Sequence, residues 1–299
     1  MTAEVWEAFA AFWLTAKSYI VVLAVIAGFL LAERFFPAEP NQPARNRILT
    51  GEFTLLYFLL TPYVVLLPAY LAAEIAKATG GSLITLDLNH IDTGSPTINW
   101  LLLNILLPFV PLIIFDFFYY WHHRFQHVLP AFWEQHKLHH TDESVYCLSS
   151  GRHHWLEEGI RVLTITIPMA FLLTLGAVQS PVVMLTILAQ WAIFIHANIR
   201  LPLGPLTPVI AGPQLHRIHH SRLPQHANKN FAAFLPLWDI VFGTYYRPSK
   251  GEWPVTGVPD REVFDNVWVA ATSPFRAWWR AILAHLRRGG AALMRALRN

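Results

Sequence analysis

The stretch H-R-F-Q-H-V-L-P-A-F-W-E-Q-H-K-L-H-H, residues 123–140, decides the fold, because it places two histidine strings at the end of a long apolar run. A third string, H-R-I-H-H, occupies residues 216–220. Side chains three and four residues apart share one face of a helix. Each string therefore predicts a helix with its histidines on one side, and together the strings supply His123, His127, His136, His139, His140, His216, His219 and His220.

The number of histidines predicts a site for two metal ions. Zinc binds about four ligands and an octahedral ion about six, so eight imidazoles exceed the needs of one ion. A lone histidine is more often an interior residue than a ligand, but 13 of the 15 histidines lie between His122 and His226. Neutral imidazole suits iron, zinc and copper. His154 and His196 are predicted as the ninth and tenth ligands.

Composition predicts a membrane protein. The 299 residues are 54% hydrophobic and only 14% charged, whereas soluble proteins carry about 25% charged residues. The predicted fold class is all-α, an integral membrane bundle of about four to five transmembrane helices with a histidine-rich helical cap. A soluble all-α core is the poorer alternative, because apolar runs of nearly bilayer-spanning length occur at 19–36, 53–73, 100–121, 160–176 and 181–199.

Basic residues predict the orientation of the chain. The cytoplasmic side of a membrane protein carries the excess of Lys and Arg. With five spans and an outer N-terminus, Lys17 and Lys77 are the two outer residues among the 22 Lys and Arg residues. The histidine region then lies on the cytoplasmic face of a bacterial inner membrane or of the endoplasmic reticulum. The net charge of +3 therefore indicates a membrane face rather than a nucleic-acid partner.

Three regions are predicted along the chain. Residues 1–99 form N-terminal transmembrane helices and an outer loop, 100–248 a catalytic domain with the histidine motifs, and 249–299 a tail. The tail predicts an amphipathic helix capped by Ser273 and interrupted at Gly289-Gly290. Its apolar stripe and its arginines are typical of a helix in the lipid headgroup region, and packing on the protein's own soluble face is the alternative.

Three acidic residues are candidates for orienting the ligands. Metal-bound histidines usually donate their second ring nitrogen to a carboxylate or a carbonyl. Asp116 lies two helical turns before His123 inside an apolar run, where an acid is usually functional. Glu157 and Asp239 are lesser candidates. The roles of three further histidines stay open: His122, His153 and His226.

The strings occur in an order that resembles the membrane fatty acid hydroxylase and sterol desaturase superfamily. The matching pieces are Y-W-H-H-R-F-Q-H (120–127), H-K-L-H-H (136–140), R-H-H-W-L-E (152–157), H-A-N (196–198), H-R-I-H-H (216–220), N-F (230–231) and W-D-I-V-F-G-T (238–244). The resemblance covers about residues 100–248. It implies two iron ions under a bundle of transmembrane helices and the O2-dependent hydroxylation or desaturation of a lipid, such as a fatty acyl chain or a sterol.

Two departures from that family pattern narrow the branch of the superfamily that this sequence is expected to resemble. The family's R-x-H-P-x-E segment is R-H-H-W-L-E here, which aligns His154 as the ligand and makes His153 an extra histidine. A fourth H-x-x-x-H string, found in fatty acyl 2-hydroxylases, is replaced by H-A-N-I-R, with Arg200 at its end. The pattern therefore favours a sterol desaturase-like or alkylglycerol monooxygenase-like branch.

The sequence lacks the motifs of several other chemistries. It contains no G-x-G-x-x-G loop and no C-x-x-C-H haem motif, so electrons must come from an external donor such as a ferredoxin, cytochrome b5 or a flavin reductase. The one cysteine, Cys147, is predicted to be a packing residue. A haem electron carrier is a poor alternative because haem needs two isolated histidines. A zinc-dependent hydrolase or a non-catalytic metal-binding membrane protein remains the main alternative, since zinc binds nitrogen sites at least as tightly as iron(II).

Overall fold

The fold is known from a computed structural model that describes residues 20–87, 92–176, 180–260, 262–264 and 266–296. Lys17, His90 and residues 177–179 lie outside these ranges. In chain order, the described helices are α1 (20–35), α2 (Ala44–Thr79), α3 (Pro96–Leu101), α4 (Leu107–Val128), α5 (Pro130–His140), α6 (Glu157–Arg161), α7 (Ile167–Leu172), α8 (Ser180–His196), α9 (Pro213–His219), α10 (Leu237–Val241) and α11 (Val267–Ala296).

Two of the longer helices contain a π turn just before a proline. Residues Leu102–Leu106 join α3 to α4, and Val162–Thr166 join α6 to α7. Each π segment ends two residues before a proline, Pro108 or Pro168. A proline cannot donate the usual backbone hydrogen bond, and an inserted π turn is a common way to bend a helix at such a point. One of these π turns directly precedes α4, the helix that carries His123 and His127.

Helix α2 is long and apolar enough to cross a membrane. By length and composition, it is the one helix among the described residues that passes this test. Its outward apolar side chains, Leu55, Phe58, Tyr63 and Leu67, are 60–73% exposed. A core helix of a soluble protein would bury such residues, whereas this degree of exposure is typical of a surface that contacts another apolar phase. Pro62 and Pro68 lie inside the helix without ending it.

A short pair of strands departs from the predicted all-α class. Strand β1 (Ile84–Asp87) follows α2, and strand β2 (Leu173–Gly176) follows α7. They pair in parallel, with Ile84 opposite Leu173. The predicted apolar run 160–176 therefore ends as a strand rather than as a helix. Sequence periodicity does not separate a short apolar strand from the end of a buried helix.

The C-terminal helix begins seven residues earlier than the sequence predicts. Asn266 Oδ1 accepts hydrogen bonds from the backbone N–H groups of Trp268 and Val269, so Asn266 provides the N-terminal cap. Ser273, the predicted cap, lies inside α11 and donates its hydroxyl proton to the carbonyl of Ala270. The helix also continues through 289–290. The earlier start follows from the cap at Asn266, and glycine inside a helix costs about 1 kcal/mol relative to alanine without necessarily ending the helix.

The end of α1 holds two segments of the site region together. Glu33 is 3% exposed, and its carboxylate accepts hydrogen bonds from the backbone N–H groups of Cys147 and Asn198 at 2.7 and 2.9 Å. Cys147 itself is buried in an apolar cluster with Tyr146 and Ile193, which confirms its packing role. The loop after α8 is thereby fixed against the turn that precedes α6.

The contact between α2 and α6 provides a test of this packing. A Cβ atom added at Gly159 would lie 2.8 Å from Val64 Cγ1 on α2. We expect Gly159→Leu to destabilise the fold by about 1–3 kcal/mol, the usual cost of overpacking. The matched variant Gly51→Leu, whose site has no atom within 4 Å, should have little effect. Thermal unfolding followed by tryptophan fluorescence measures both, and equal melting temperatures would contradict this contact.

Candidate metal centre

Nine of the ten predicted histidine ligands come together in two adjoining groups. The first, here called the five-histidine group, contains His123, His127, His136, His140 and His219. The second, the four-histidine group, contains His139, His196, His216 and His220. Within each group, one nitrogen of every ring lies within 4.8 Å of the others. The ring centroids of His140 and His220 are 4.4 Å apart, so the two groups are direct neighbours.

Two similar helices supply most of these rings. Helices α5 and α9 each begin with a proline, Pro130 or Pro213, whose missing N–H is not needed in the first turn. Each ends in H-x-x-H-H, and the last histidine of the second string, His220, terminates α9. Helix α4 contributes the H-x-x-x-H pair, and the last residue of α8, His196, completes the set.

The spacing of ring nitrogens in the four-histidine group suits a shared ion. His196 Nε2 lies 2.9 Å from His216 Nε2 and 3.2 Å from His139 Nε2. His220 Nε2 lies 3.2 Å from His216 Nε2. Ligand atoms about 2.1 Å from a metal are about 3.0 Å apart at right angles and about 3.4 Å apart at tetrahedral corners. Four ring nitrogens at such separations fit one coordination sphere.

Buried ring nitrogens without a protein partner support the same interpretation for the five-histidine group. Nε2 of His123, His127, His140 and His219 and both ring nitrogens of His136 are buried and unpartnered. A buried polar atom without a partner costs about 1–3 kcal/mol. Several such atoms aimed at one another are the arrangement expected of metal ligands, and the residues present therefore fit a metal in each group.

Backbone carbonyls orient three of the rings. Nδ1 of His123 lies 2.7 Å from the carbonyl of Phe231, and Nδ1 of His219 lies 2.9 Å from that of Lys229. Nδ1 of His196 lies 2.7 Å from the carbonyl of Ala192. An Nδ1–H that donates to a carbonyl leaves Nε2 unprotonated and free to bind a metal. These carbonyls are partners that side-chain motifs do not reveal.

The loop that carries two of these carbonyls has an unusual backbone. Asn228 and Asn230 have φ values of 57° and 58°, in the left-handed region that asparagine tolerates better than most residues. The side chain of Asn230 also holds both the N–H and the C=O of Tyr246. The N-x-N spacing around Lys229 is the sequence signal for this turn.

Asp116 and Asp239 hold this loop rather than a histidine ring. Asp116 accepts hydrogen bonds from the N–H groups of Phe234 and Leu235, and Asp239 accepts them from Phe231 and Ala232. The expectation that Asp116 pairs directly with a ligand histidine is therefore wrong, because its carboxylate contacts the loop backbone instead. Both carboxylates act one step further away, by fixing the segment whose Phe231 carbonyl orients a ring.

Glu157 lies beside the five-histidine group. It forms a third candidate cluster with His136 and His153. Its carboxylate also accepts two hydrogen bonds from Gln126 Nε2, at 3.0 and 2.9 Å, and lies 3.3 Å from His122 Nε2. His122 therefore faces Glu157 and away from the two groups. Gln126, between the two ligands of its own string, was not anticipated from the sequence.

His153 and His154 have the opposite orientations to those expected. The His153 ring stacks on His139 at 4.5 Å, and its Nδ1 is buried and unpartnered. His154, the predicted ligand, uses both nitrogens on the backbone: Nε2 donates to the carbonyl of Ala271, and Nδ1 accepts from the N–H of Leu156. The correction arises because the turn before α6 directs successive side chains to opposite sides.

Two remaining residues lie outside the cluster. His226 is buried, and its Nε2 lies 3.1 Å from Glu252 Oε1, with Tyr246 against its ring. Arg200, which replaces a histidine of the fourth family string, is exposed. Neither contributes an atom to the two groups described above.

Burial keeps the candidate ligands neutral. It lowers the pKa of His136, His140 and His220 well below the ordinary value, and neighbouring imidazoles lower each further. The pKa of His219 falls to about 4, chiefly through burial. A neutral imidazole has the lone pair that a metal requires, so the whole set is ready to bind at neutral pH.

A cavity of about 200 Å³ opens onto the five-histidine group alone. Its histidine wall consists of His127, His140 and His219. The rest of its lining is largely apolar, and includes Trp133, Leu223, Ala227, Val258 and Pro259. This volume is below the roughly 300–1,000 Å³ typical of drug-sized ligand sites. It suits one segment of a longer molecule.

A family model described as fatty acid hydroxylase matches residues 108–244, the span that contains all nine clustered histidines. Residues 108–244 belong to the fatty acid hydroxylase family. The sterol desaturase-like and alkylglycerol monooxygenase-like branches expected from the sequence both occur among the relatives of this hydroxylase domain. No solved structure resembles the chain significantly.

Three curated relatives illustrate the similarity. An ornithine lipid hydroxylase of Rhizobium tropici is 31% identical over 49% of this chain and 44% of its own. An alkylglycerol monooxygenase of Danio rerio is 35% identical over 44% of this chain and 28% of its own. A Delta(7)-sterol 5(6)-desaturase of Aspergillus fumigatus is 31% identical over 45% and 38%. The chain thus spans less than half of the length of these relatives.

Metal content should separate the clustered histidines from their neighbours. Protein from iron-supplemented cells is expected to carry about two ions per chain. His219→Ala should cost one ion from the five-histidine group, and His216→Ala one ion from the four-histidine group. His154→Ala, which removes a ring outside both groups, should retain two. Plasma mass spectrometry on purified protein measures this, and loss of metal in His154→Ala would contradict the assignment.

Acid should destabilise the metal-free chain. The pKa of His219 is about 4 in the folded chain and about 6.5 in an unfolded one. Below about pH 6.5, the unfolded chain therefore binds more protons than the folded chain. The free energy of unfolding then decreases as the pH is lowered. The melting temperature should be level above about pH 7 and should decrease below about pH 6.5. Metal-loaded protein, in which the ion competes with protons for the rings, should keep its melting temperature down to a lower pH. A flat profile for the metal-free chain would contradict the burial of neutral rings.

Proposed function

We propose that this chain is a membrane-bound, O2-dependent di-iron oxidoreductase that hydroxylates or desaturates a lipid. The observation that carries the proposal is the pair of adjoining imidazole groups within a fatty acid hydroxylase domain. Relatives named hydroxylase, monooxygenase and desaturase support oxidation as the reaction class. When bound, two iron ions would supply the activation of O2 and the oxidation of a C–H bond.

The chain's own residues have three tasks in this proposal. The clustered histidines bind both ions in the neutral form. The carbonyls of Phe231, Lys229 and Ala192 hold three rings in the orientation that leaves Nε2 free. The apolar wall of the cavity, which includes Trp133 and Leu223, excludes water and positions one lipid segment beside the five-histidine group.

Hydroxylation has a definite balance. One oxygen atom of O2 enters the C–H bond, the other leaves as water, and two electrons and two protons are consumed. We propose an external acidic donor for the electrons, a ferredoxin, cytochrome b5 or flavin reductase that docks on the basic inner face. The proposal also includes a multi-pass topology with the metal site on the cytoplasmic side, in keeping with the exposed apolar surface of α2.

The source of the product oxygen tests this function. Purified iron-loaded protein in nanodiscs, with a chemical reductant and a lipid extract, is supplied with isotope-labelled O2 or with labelled water. A hydroxylase transfers the label from O2 to the lipid, and a desaturase yields a product that lacks two hydrogens. Label from water alone would favour the zinc hydrolase alternative. The control His136→Ala removes a ring of the five-histidine group and should abolish either O2-dependent product.

The cavity predicts a second outcome. Leu223→Trp would fill the space beside His127, His140 and His219, so we expect product formation to fall at least about tenfold, equivalent to about 1.4 kcal/mol. Metal content should be unchanged because Leu223 provides no ligand. Leu206→Trp, at an exposed leucine, is the matched control. Full activity in Leu223→Trp, measured by lipid mass spectrometry, would show that the lipid approaches from elsewhere.

A further inference from the structure

Helix α11 is attached to the metal-site region by one face. The carbonyl of Ala271 accepts hydrogen bonds from both His154 Nε2 and Trp155 Nε1, each at 3.1 Å. Further along the helix, the indole N–H of Trp278 donates to the carbonyl of Ala131 on α5 at 2.8 Å. Ala270 and Ala271 are buried against these neighbours. The helix is thereby docked through its first half.

A second face of α11 is apolar and largely exposed, although Phe275 at its edge also stacks on Trp155 with ring centroids 5.8 Å apart. On a wheel of 3.6 residues per turn, five large side chains fall within about 60° of one another. Two are tryptophans that are 61–68% exposed, and the others are 41–63% exposed. We call this set the exposed stripe: Trp268, Phe275, Trp279, Ile282 and Leu286. A contiguous apolar surface of this kind marks a site of contact with another apolar phase.

Arginines border the exposed stripe on one side. Arg276, Arg280 and Arg287 fall within about 40° of one another on the same wheel, next to the stripe, and all three are exposed. Arg288 lies on a different part of the helix. Tryptophan beside arginine is the composition of a helix in the lipid interface, where the rings enter the headgroup layer and the guanidinium groups contact phosphates.

The position of α11 suits this environment. Val267 and Ala270, in its first turn, pack in one cluster with Leu49 and Phe53 of α2 and Phe264. The outward apolar surface of α2 begins in the same part of that helix, at Ile48 and Leu55, which are 60–63% exposed. Helix α11 therefore begins where the apolar surface of a candidate membrane span begins.

We infer that the exposed stripe of α11 lies in the headgroup region of an anionic lipid leaflet, with Arg276, Arg280 and Arg287 on lipid phosphates. The bilayer thus contacts a helix that is hydrogen-bonded to the turn carrying His153. Contact between α11 and the lipid leaflet does not depend on the reaction at the metal site.

Site-specific fluorescence tests the inference on the full chain. The variants Ile282→Cys and Leu286→Cys place an environment-sensitive label in the stripe, and Ala281→Cys places it on the opposite, exposed face. The wild-type chain, whose one cysteine is buried, is the labelling blank. Nanodiscs contain phosphatidylcholine with anionic phosphatidylglycerol and a doxyl-labelled lipid, and iodide is the aqueous quencher.

If the exposed stripe lies in the leaflet, doxyl lipid should quench labels at 282 and 286 severalfold more strongly than a label at 281. Iodide should give the reverse order. Replacing Arg276, Arg280 and Arg287 with glutamate should weaken the association of α11 with the anionic leaflet about fivefold per arginine. Arg288→Glu should not weaken it. Equal quenching at the stripe and at 281 would overturn the inference. Protection of the stripe from both quenchers would also overturn it, because that pattern indicates a second copy of the chain.

Discussion

The central constraint on this protein is the burial of many neutral imidazoles against one another. A buried ring nitrogen whose lone pair has neither a donor nor a metal is costly, and the four-histidine group brings four ring nitrogens within 2.9–3.2 Å of a neighbouring ring nitrogen. A metal ion bound in each group would remove this cost, because it would take up the lone pairs of the rings around it. The short helices α5 and α9, the C-terminal ends of α4 and α8, and the turn before α6 all converge on this place, so the architecture is arranged around the site.

Ring orientation depends on a second layer that consists mainly of backbone. Asp116 and Asp239 hold the loop from Phe231 to Leu235, and the carbonyl of Phe231 in turn orients His123. Elsewhere, ligand histidines often pair with a carboxylate directly. Here Asp116 and Asp239 contact the loop backbone rather than the rings. The two histidine groups therefore consist of neutral side chains, with Glu157 at their edge.

Helical spacing predicts the eight string histidines, because residues three and four apart on a helix share a face. The structure brings all eight together with His196, which lies in no such string. The choice between His153 and His154 was not predictable, since it depends on the local path of a turn and on the carbonyl of Ala271. The start of α11 was missed because Asn266, rather than Ser273, provides the local cap. The strand at Leu173 was missed because its pairing with Ile84 is distant in sequence. The Asp116 contact failed similarly, because its partners lie 118 and 119 residues away.

The left-handed turn at Asn228 and Asn230 has a consequence for how this site can change. Carbonyl groups are common to all residues, so replacing Lys229 or Phe231 alters a side chain while preserving the acceptor that faces the ring. Inserting or deleting one residue between Asn228 and Leu235 would instead displace both carbonyls and both carboxylate anchors together. The chain length of this segment, more than its chemical identity, is what selection must preserve.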